Sequence, residues 1–135
     1  MTARRRGPGM PMPDARERVV GTLPMVLDVR PPGVHHAVVV RSIVPHARIG
    51  TIDVIDALSM PGVVAVVTGR DIVAAGIDPH FGAMRADQPA IAVDRVRYAG
   101  EPVAVVVATE RWQAREAAMF VDVEYDELPF VVDER

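Results

Sequence analysis

The sequence predicts a single α+β domain, rich in strands, with about three helices interposed. Three features predict it. Short aliphatic runs such as "VHHAVVVRS" (34–42), "VVAVVTG" (63–69) and "PVAVVVAT" (102–109) are β-branched and bounded by turn residues, the pattern of strands buried on at least one face. The 12 prolines in 135 residues favour many turns over long helices. The best helical spacing is in "ERWQAREAAMFV" (110–121). A chain of this length forms one ordinary domain that buries roughly two-thirds of its unfolded surface. With aromatic residues at 4%, its core must be built from Val, Ala, Ile, Leu and Met.

The elements follow in order. Residues 1–18 are rich in Arg, Gly and Pro and lack periodicity, so they read as a flexible or docking arm ahead of a domain over 19–133. A short strand is expected around Met25–Val29, closed by the Pro31-Pro32-Gly33 turn. After the strand at 34–42, Ile49–Ile52 is extended. The spacing then turns helical, with Asp53 as N-cap, Val54, Ala57 and Leu58 along one face, and Pro61-Gly62 as the stop. The strand at 63–69 leads through Gly69 into a helical turn or two over 70–76. "IDPHFGAMRAD" (77–87) reads as loop. "QPAIAVD" (88–94) reads as a strand, "RVRYAG" (95–100) as its extension to a turn, and 102–109 as a central strand. Thr109 stands where an N-cap belongs, and Ala114, Ala117, Ala118 and Val121 form a narrow stripe that lets the following helix lie close to a sheet. "VDVEYDEL" (121–128) alternates like a strand with one wet face, and Val131-Val132 form a last apolar pair.

Two absences limit the chemistry. There is no cysteine, hence no thiolate nucleophile, disulfide, iron–sulfur ligand or Cys-type zinc site. There is no lysine either, since all 15 basic side chains are arginine, which removes Schiff-base, phosphate-loop and lipoyl- or biotinyl-carrier roles. A net charge of −3 gives no footprint for nucleic acid, and the one cationic cluster is Arg4-Arg5-Arg6. No apolar run approaches the roughly 20 residues of a membrane span, and no signal peptide is visible, so cytoplasm is the expected compartment.

The candidate groups read mostly as structure. His35 and His36 are adjacent in a strand and leave opposite faces, so a metal site would need the fold to bring in His46 and His80. Asp53/Asp56, Glu124/Asp126/Glu127 and Asp133/Glu134 read as solvated carboxylates rather than a catalytic dyad, because side chains on one strand side repel if buried together. Ser42 and Ser59 lack a nucleophile-elbow context. Trp112 lies off the apolar stripe of its helix, half exposed or buried against a partner. In "VRYAGEP" (96–102), either Arg97, Tyr98 and Glu101 face a ligand, or the segment is a strand–turn–strand corner. Residue content favours the corner, with Gly100 in a conformation other residues resist, Pro102 fixing the exit, and Arg97 and Glu101 pairing or holding loop carbonyls.

Four blocks in order carry a family resemblance: "VVGTLPMVLDVRPPGVHHAVVVRSIVPHARIGTIDV", "PGVVAVVTGRDI", "DQPAIAVDRVRYAGEPVAVVVA" and "VDVEYDELPFVVD". Together, over roughly residues 10–133, they resemble the α/β-hammerhead domain that opens the large subunit of molybdenum hydroxylases, the family of xanthine dehydrogenase, aldehyde oxidase and aerobic carbon monoxide dehydrogenase. The family pattern has an aromatic near Met25 and a Leu-His pair near Val34–His36. This chain also has "RSIVPHARI", with Ile43 and Val44 where a Pro-His step is usual.

The resemblance implies a strand-heavy hammerhead fold and a reaction that hydroxylates carbon with water-derived oxygen, passing electrons through iron–sulfur clusters to FAD. In the family, the molybdopterin pocket and its glutamate base lie in the region after this domain. No catalytic, cofactor-binding or metal residue therefore carries over to a position here. Molybdopterin, [2Fe-2S] and FAD are expected in partner chains: a molybdopterin-binding catalytic subunit or the remainder of the large subunit, with iron–sulfur and FAD subunits beside it. The expected role is a non-catalytic subunit or fragment that acts as scaffold. The alternative is a free-standing binding or assembly module, or a remnant of a split gene.

Overall fold

The computed structural model describes residues 12–131 and 133. Part of the expected arm, through residue 11 and including Arg4-Arg5-Arg6, lies outside the described residues, as do Val132 and Glu134. The chain divides into two units after Val34.

In the first unit, a helix where no periodicity announced one, α1 (Ala15–Val20), is held by local bonds. Arg18 pairs with Asp14 one turn earlier at 2.7 Å, and Gly21, with φ +74°, returns its N–H to the Arg18 carbonyl. The strand expected at Met25–Val29 is instead a 3₁₀ turn over Val26–Asp28. Its cause is local: the Asp28 carboxylate accepts from the Met25 N–H at 2.9 Å, so the side chain competes with an extended backbone.

The second unit, from His35 onward, is built on β7 (Pro102–Ala108). β7 pairs antiparallel with β1 (His36–Arg41) on one edge and with β3 (Val63–Thr68) on the other. A second antiparallel sheet orders β6 (Arg95–Val96), β2 (Ala47–Asp53) and β8 (Asp122–Glu127). β4 (His80–Phe81) and β5 (Gln88–Pro89) form a small hairpin. The helices are α2 (Ile55–Ser59), α3 (Gly69–Ala74) and α4 (Arg111–Ala118). This is the expected α+β, strand-rich architecture.

Alternate residues of β7 feed two cores. Val103 joins Ala47, Ile49, Ala92 and Val96 between the sheets. Val106 joins Ala57 of α2 and Ala117 of α4, with Val63 and Val66 beside them. The small stripe of α4 behaves as expected: Ala114 and Ala117 are fully buried, and Ala118 and Val121 are half-buried. Leu58 departs from its expected face. Helix α2 has five residues, little more than a turn, and buries Ala57 while Leu58 stays exposed.

The expected strand over 88–94 is interrupted. Only Gln88–Pro89 and Arg95–Val96 join ladders, and between them the backbone bonds in three directions: Ala90 N–H to Pro79, Ala92 N–H to Pro102, and Asp94 C=O from Ile49. Pro89 cannot donate, which ends the β5 ladder there. The loop expected over 77–87 contributes β4 to that hairpin. At α4 the N-cap is Glu110 rather than Thr109, whose hydroxyl donates instead to the Gln113 side chain at 2.8 Å. Asp53 does receive the Ile55 N–H at 2.9 Å, the bond expected of a cap, although the helix begins one residue later.

Two polar side chains fasten the sheet junctions. The Thr68 N–H and hydroxyl both donate to the Asp71 carboxylate at 2.7 and 2.6 Å, which starts α3 and holds that carboxyl below its ordinary value. Arg70 donates to the Ile49 and Gly50 carbonyls at 3.1 and 2.8 Å, where the β2–β8 register shifts. Gly69 is buried with ordinary φ, and a Cβ there would stand 2.3 Å from the Ala92 carbonyl oxygen. Gly69→Ala must therefore push backbone against backbone, at an expected cost of about 1–3 kcal/mol. Denaturant unfolding checks this, and a midpoint equal to wild type would contradict the close approach.

Candidate functional site

The segment with most polar convergence is the one the sequence singled out, between β6 and β7. β6 delivers Arg97 and Tyr98 to a turn, and Gly100 takes φ +92°, where a side chain would be strained although space is open. Glu101 then folds back beneath the turn. Its carboxylate is 2% exposed, and its two oxygens accept from the backbone N–H of Arg97 and from the Arg97 guanidinium, the latter at 3.2 Å. The Glu101 N–H closes onto the Tyr98 carbonyl. Across the chain, the end of β1 stitches to the same loop. The Ser42 N–H donates to the Glu101 carbonyl, Gly100 N–H donates to the Ser42 carbonyl, and Arg41 donates to the Gly100 carbonyl at 2.8 Å.

Geometry therefore makes this segment a corner. Arg97 and Glu101 do both things expected of them, pairing with each other and holding a carbonyl, since Arg97 also donates to Arg95 C=O at 3.3 Å. A general base needs a lone pair aimed at a reacting group. Both Glu101 oxygens are instead committed inward, and Arg97 lies between Glu101 and Asp94. Two hollows flank the corner and share Arg97 and Pro89, one of about 500 Å³ and one of about 420 Å³. Asp78, His80 and Val93 line the larger, and Phe81, Tyr98 and Glu101 the smaller.

The other candidates are dispersed. The His46 ring bonds to the Pro129 carbonyl at 2.9 Å, and the His80 ring to Asp78 at 3.1 Å. His35 precedes β1 and His36 begins it, and among the described residues no three metal-ligating side chains converge. The Asp78–His80 contact was not anticipated. Its signal was the Asp-Pro-His spacing, an aspartate turn in which Asp78 accepts from the His80 backbone as well as its ring, which lowers the carboxyl below its usual value. Glu124 and Asp126 lie on the wet face of β8, as read from the sequence. Asp53 and Asp56 are exposed on either side of Val54. Ser59 donates to Asp56 C=O, and Ser42, buried, donates to Val44 C=O at 2.7 Å. Burial pushes the Tyr125 phenol above its ordinary value, partly opposed by a hydrogen bond with Ser42. Trp112 stands on the outer side of α4 at 60% exposure.

The corner residues do not fit an iron–sulfur cluster or the phosphate of a pterin cofactor. A chain without cysteine has no thiolate for an iron–sulfur cluster. The phosphate of a pterin cofactor needs a cradle of free cationic or N–H donors. At the corner, Arg97 is shared by two carboxylates, and the Arg97 N–H is used by Glu101. Among the described residues, no helix is long and apolar enough to cross a membrane.

Two antiparallel sheets joined through one central strand, with a locked corner at its start, define a structural module of the α/β-hammerhead type. Residues 21–129 match the family described as "Aldehyde oxidase and xanthine dehydrogenase, a/b hammerhead domain", and the chain belongs to that molybdenum hydroxylase family. It is 40% identical over 121 residues to one subunit of a probable xanthine dehydrogenase of Bacillus subtilis, covering 90% of this chain and 16% of that one. It is 37% identical to the nicotinate dehydrogenase large molybdopterin subunit of Eubacterium barkeri, covering 85% of this chain and 26% of the relative. The carbon monoxide dehydrogenase of Oligotropha carboxidovorans superposes with a TM-score of 0.83 at 34% identity, over 92% of this chain and 15% of that one.

Glu101→Ala leaves the Arg97 N–H and guanidinium facing a hole, and is expected to cost about 1–3 kcal/mol. Arg97→Ala costs less, because that side chain is 41% exposed. Equal unfolding midpoints for Glu101→Ala and wild type would contradict the corner's role.

Proposed function

We propose that this chain is the non-catalytic hammerhead portion of a cytoplasmic, molybdopterin-dependent hydroxylase or dehydrogenase. It serves as a scaffold against which a molybdopterin-binding polypeptide of the same enzyme is held. In this reading molybdopterin, [2Fe-2S] clusters and FAD are carried by other parts or subunits. The observation that carries the proposal is the superposition at TM-score 0.83 on a carbon monoxide dehydrogenase chain of which this domain spans 15%. The internal satisfaction of the corner supports it, because polar groups that bond to one another hold a fold rather than a substrate.

The test is recovery of the tagged chain from its native cells, with partner identification by mass spectrometry and assay for molybdenum, iron and flavin. The expected result is a stoichiometric complex with a polypeptide that contains the molybdopterin-binding region, together with molybdenum. A metal-free chain, recovered alone from cells with active molybdenum hydroxylase, would overturn the scaffold reading.

A further inference from the structure

The sheet β1-β7-β3 packs one face under α2 and α4, while its other face is covered by the second sheet at Val103 and opens to solvent toward the far end of β7. Opposite residues of antiparallel strands share a face. The register therefore places Ala37, Val107 and Ala65 in one row, and Val39, Val105 and Val67 in the next, on a common side. The intervening row, Val38, Val106 and Val66, points the other way, where Val106 and Val66 pack in the core formed with α2 and α4. All six side chains of these two rows, beyond the buried Val103, are aliphatic. Ala37 and Val39 are exposed, and Ala65, Val67, Val105 and Val107 are half-buried.

A sheet with one solvated face ordinarily alternates apolar and polar residues. The same chain obeys that rule in β8, where Asp122, Glu124 and Asp126 face water and Val123 and Tyr125 face inward. It breaks the rule on three adjacent strands at once, with no charge in either row. Contiguous apolar rows left partly open to solvent are a surface of the kind that interaction sites use.

From this we infer that the Ala37/Val39–Val105/Val107–Ala65/Val67 face is the docking surface for the molybdopterin-binding polypeptide. The inference rests on the scaffold reading above and assigns it a surface. The occupant is argued from size and chemistry. In the Bacillus subtilis relative this domain spans 16% of the chain, so most of that protein lies outside the matched segment and is available to cover it. Two uncharged aliphatic rows take an equally aliphatic surface and offer nothing to a nucleic acid, a phosphate or a charged peptide.

The experiment measures affinity of the chain for the molybdopterin-binding polypeptide of its own enzyme, comparing wild type with Ala37→Arg and Val39→Glu. Both positions lie on an edge strand and are open to solvent, and retention of fold is checked by circular dichroism and thermal unfolding. Each folded variant is expected to bind on the order of tenfold more weakly or worse. Trp112→Ala, on the outer side of α4, is expected to bind like wild type. Undiminished binding by the folded face variants, or loss confined to Trp112→Ala, overturns the surface assignment while leaving the scaffold reading in place. Failure of wild type to bind sinks the scaffold reading itself. Wild-type self-association that Val39→Glu abolishes makes a second copy the occupant and overturns the proposal. Should both variants unfold, methyl NMR of wild type decides. The Val39, Val67, Val105 and Val107 methyls are expected to become shielded from a paramagnetic co-solute on adding the partner, and unchanged accessibility overturns the assignment.

Discussion

The second unit depends on the placement of one strand, β7. Each of its neighbours in the sheet pairs with it and not with the other, so β1 and β3 have no common support without it. Its side chains also join both cores, Val103 the one between sheets and Val106 the one under the helices. A slip of one residue would exchange these sets, taking Val103 and Val106 out of their cores together. Register is therefore the quantity the structure must fix, and the corner preceding β7 fixes it. Gly100 reverses the chain, Glu101 is anchored on Arg97, and Ser42 ties the turn to the end of β1, so the strand can start in one place only.

That corner was legible in the sequence because Gly, Glu, Pro and Arg each carry a specific backbone or hydrogen-bonding demand within a few residues. The central strand was legible from its unbroken aliphatic run, and α4 from its alanine stripe. What the sequence concealed was settled by partners distant along the chain. Residues 88–94 have strand composition, yet Pro89 and the competing bonds to Pro79, Pro102 and Ile49 divide them. Met25–Val29 has strand composition as well, but a single Asp28 side chain closes it into a turn. The histidines illustrate the same limit for the site. Their number was visible, but their separation, with His46 on Pro129 and His80 on Asp78, is a property of the fold.

The open rows of the first sheet were equally hidden, since an aliphatic run reads alike whether a strand is covered on one side or two. Register separates the cases, because it shows which residues line up across three strands. Set beside β8, whose outward positions are carboxylates, the uncharged rows of the first sheet are only partly covered, whereas among the described residues no buried side-chain polar atom lacks a partner. Those two properties together suit a scaffold. On the proposed scaffold reading, the internal contacts would keep its shape and the open aliphatic rows would supply the free energy of docking.

Native-state hydrogen exchange of the chain tests the central claim most directly, because it ranks the opening free energy of every amide. If β7 and its corner organise the unit, the amides of Val103–Ala108 exchange last, with a common free energy equal to that of global unfolding. The Arg97 amide, held by Glu101, joins that group. Exchange of β7 through a local opening, at lower free energy than the amides of β8 or α4, would show that the structure is organised elsewhere and would contradict the account.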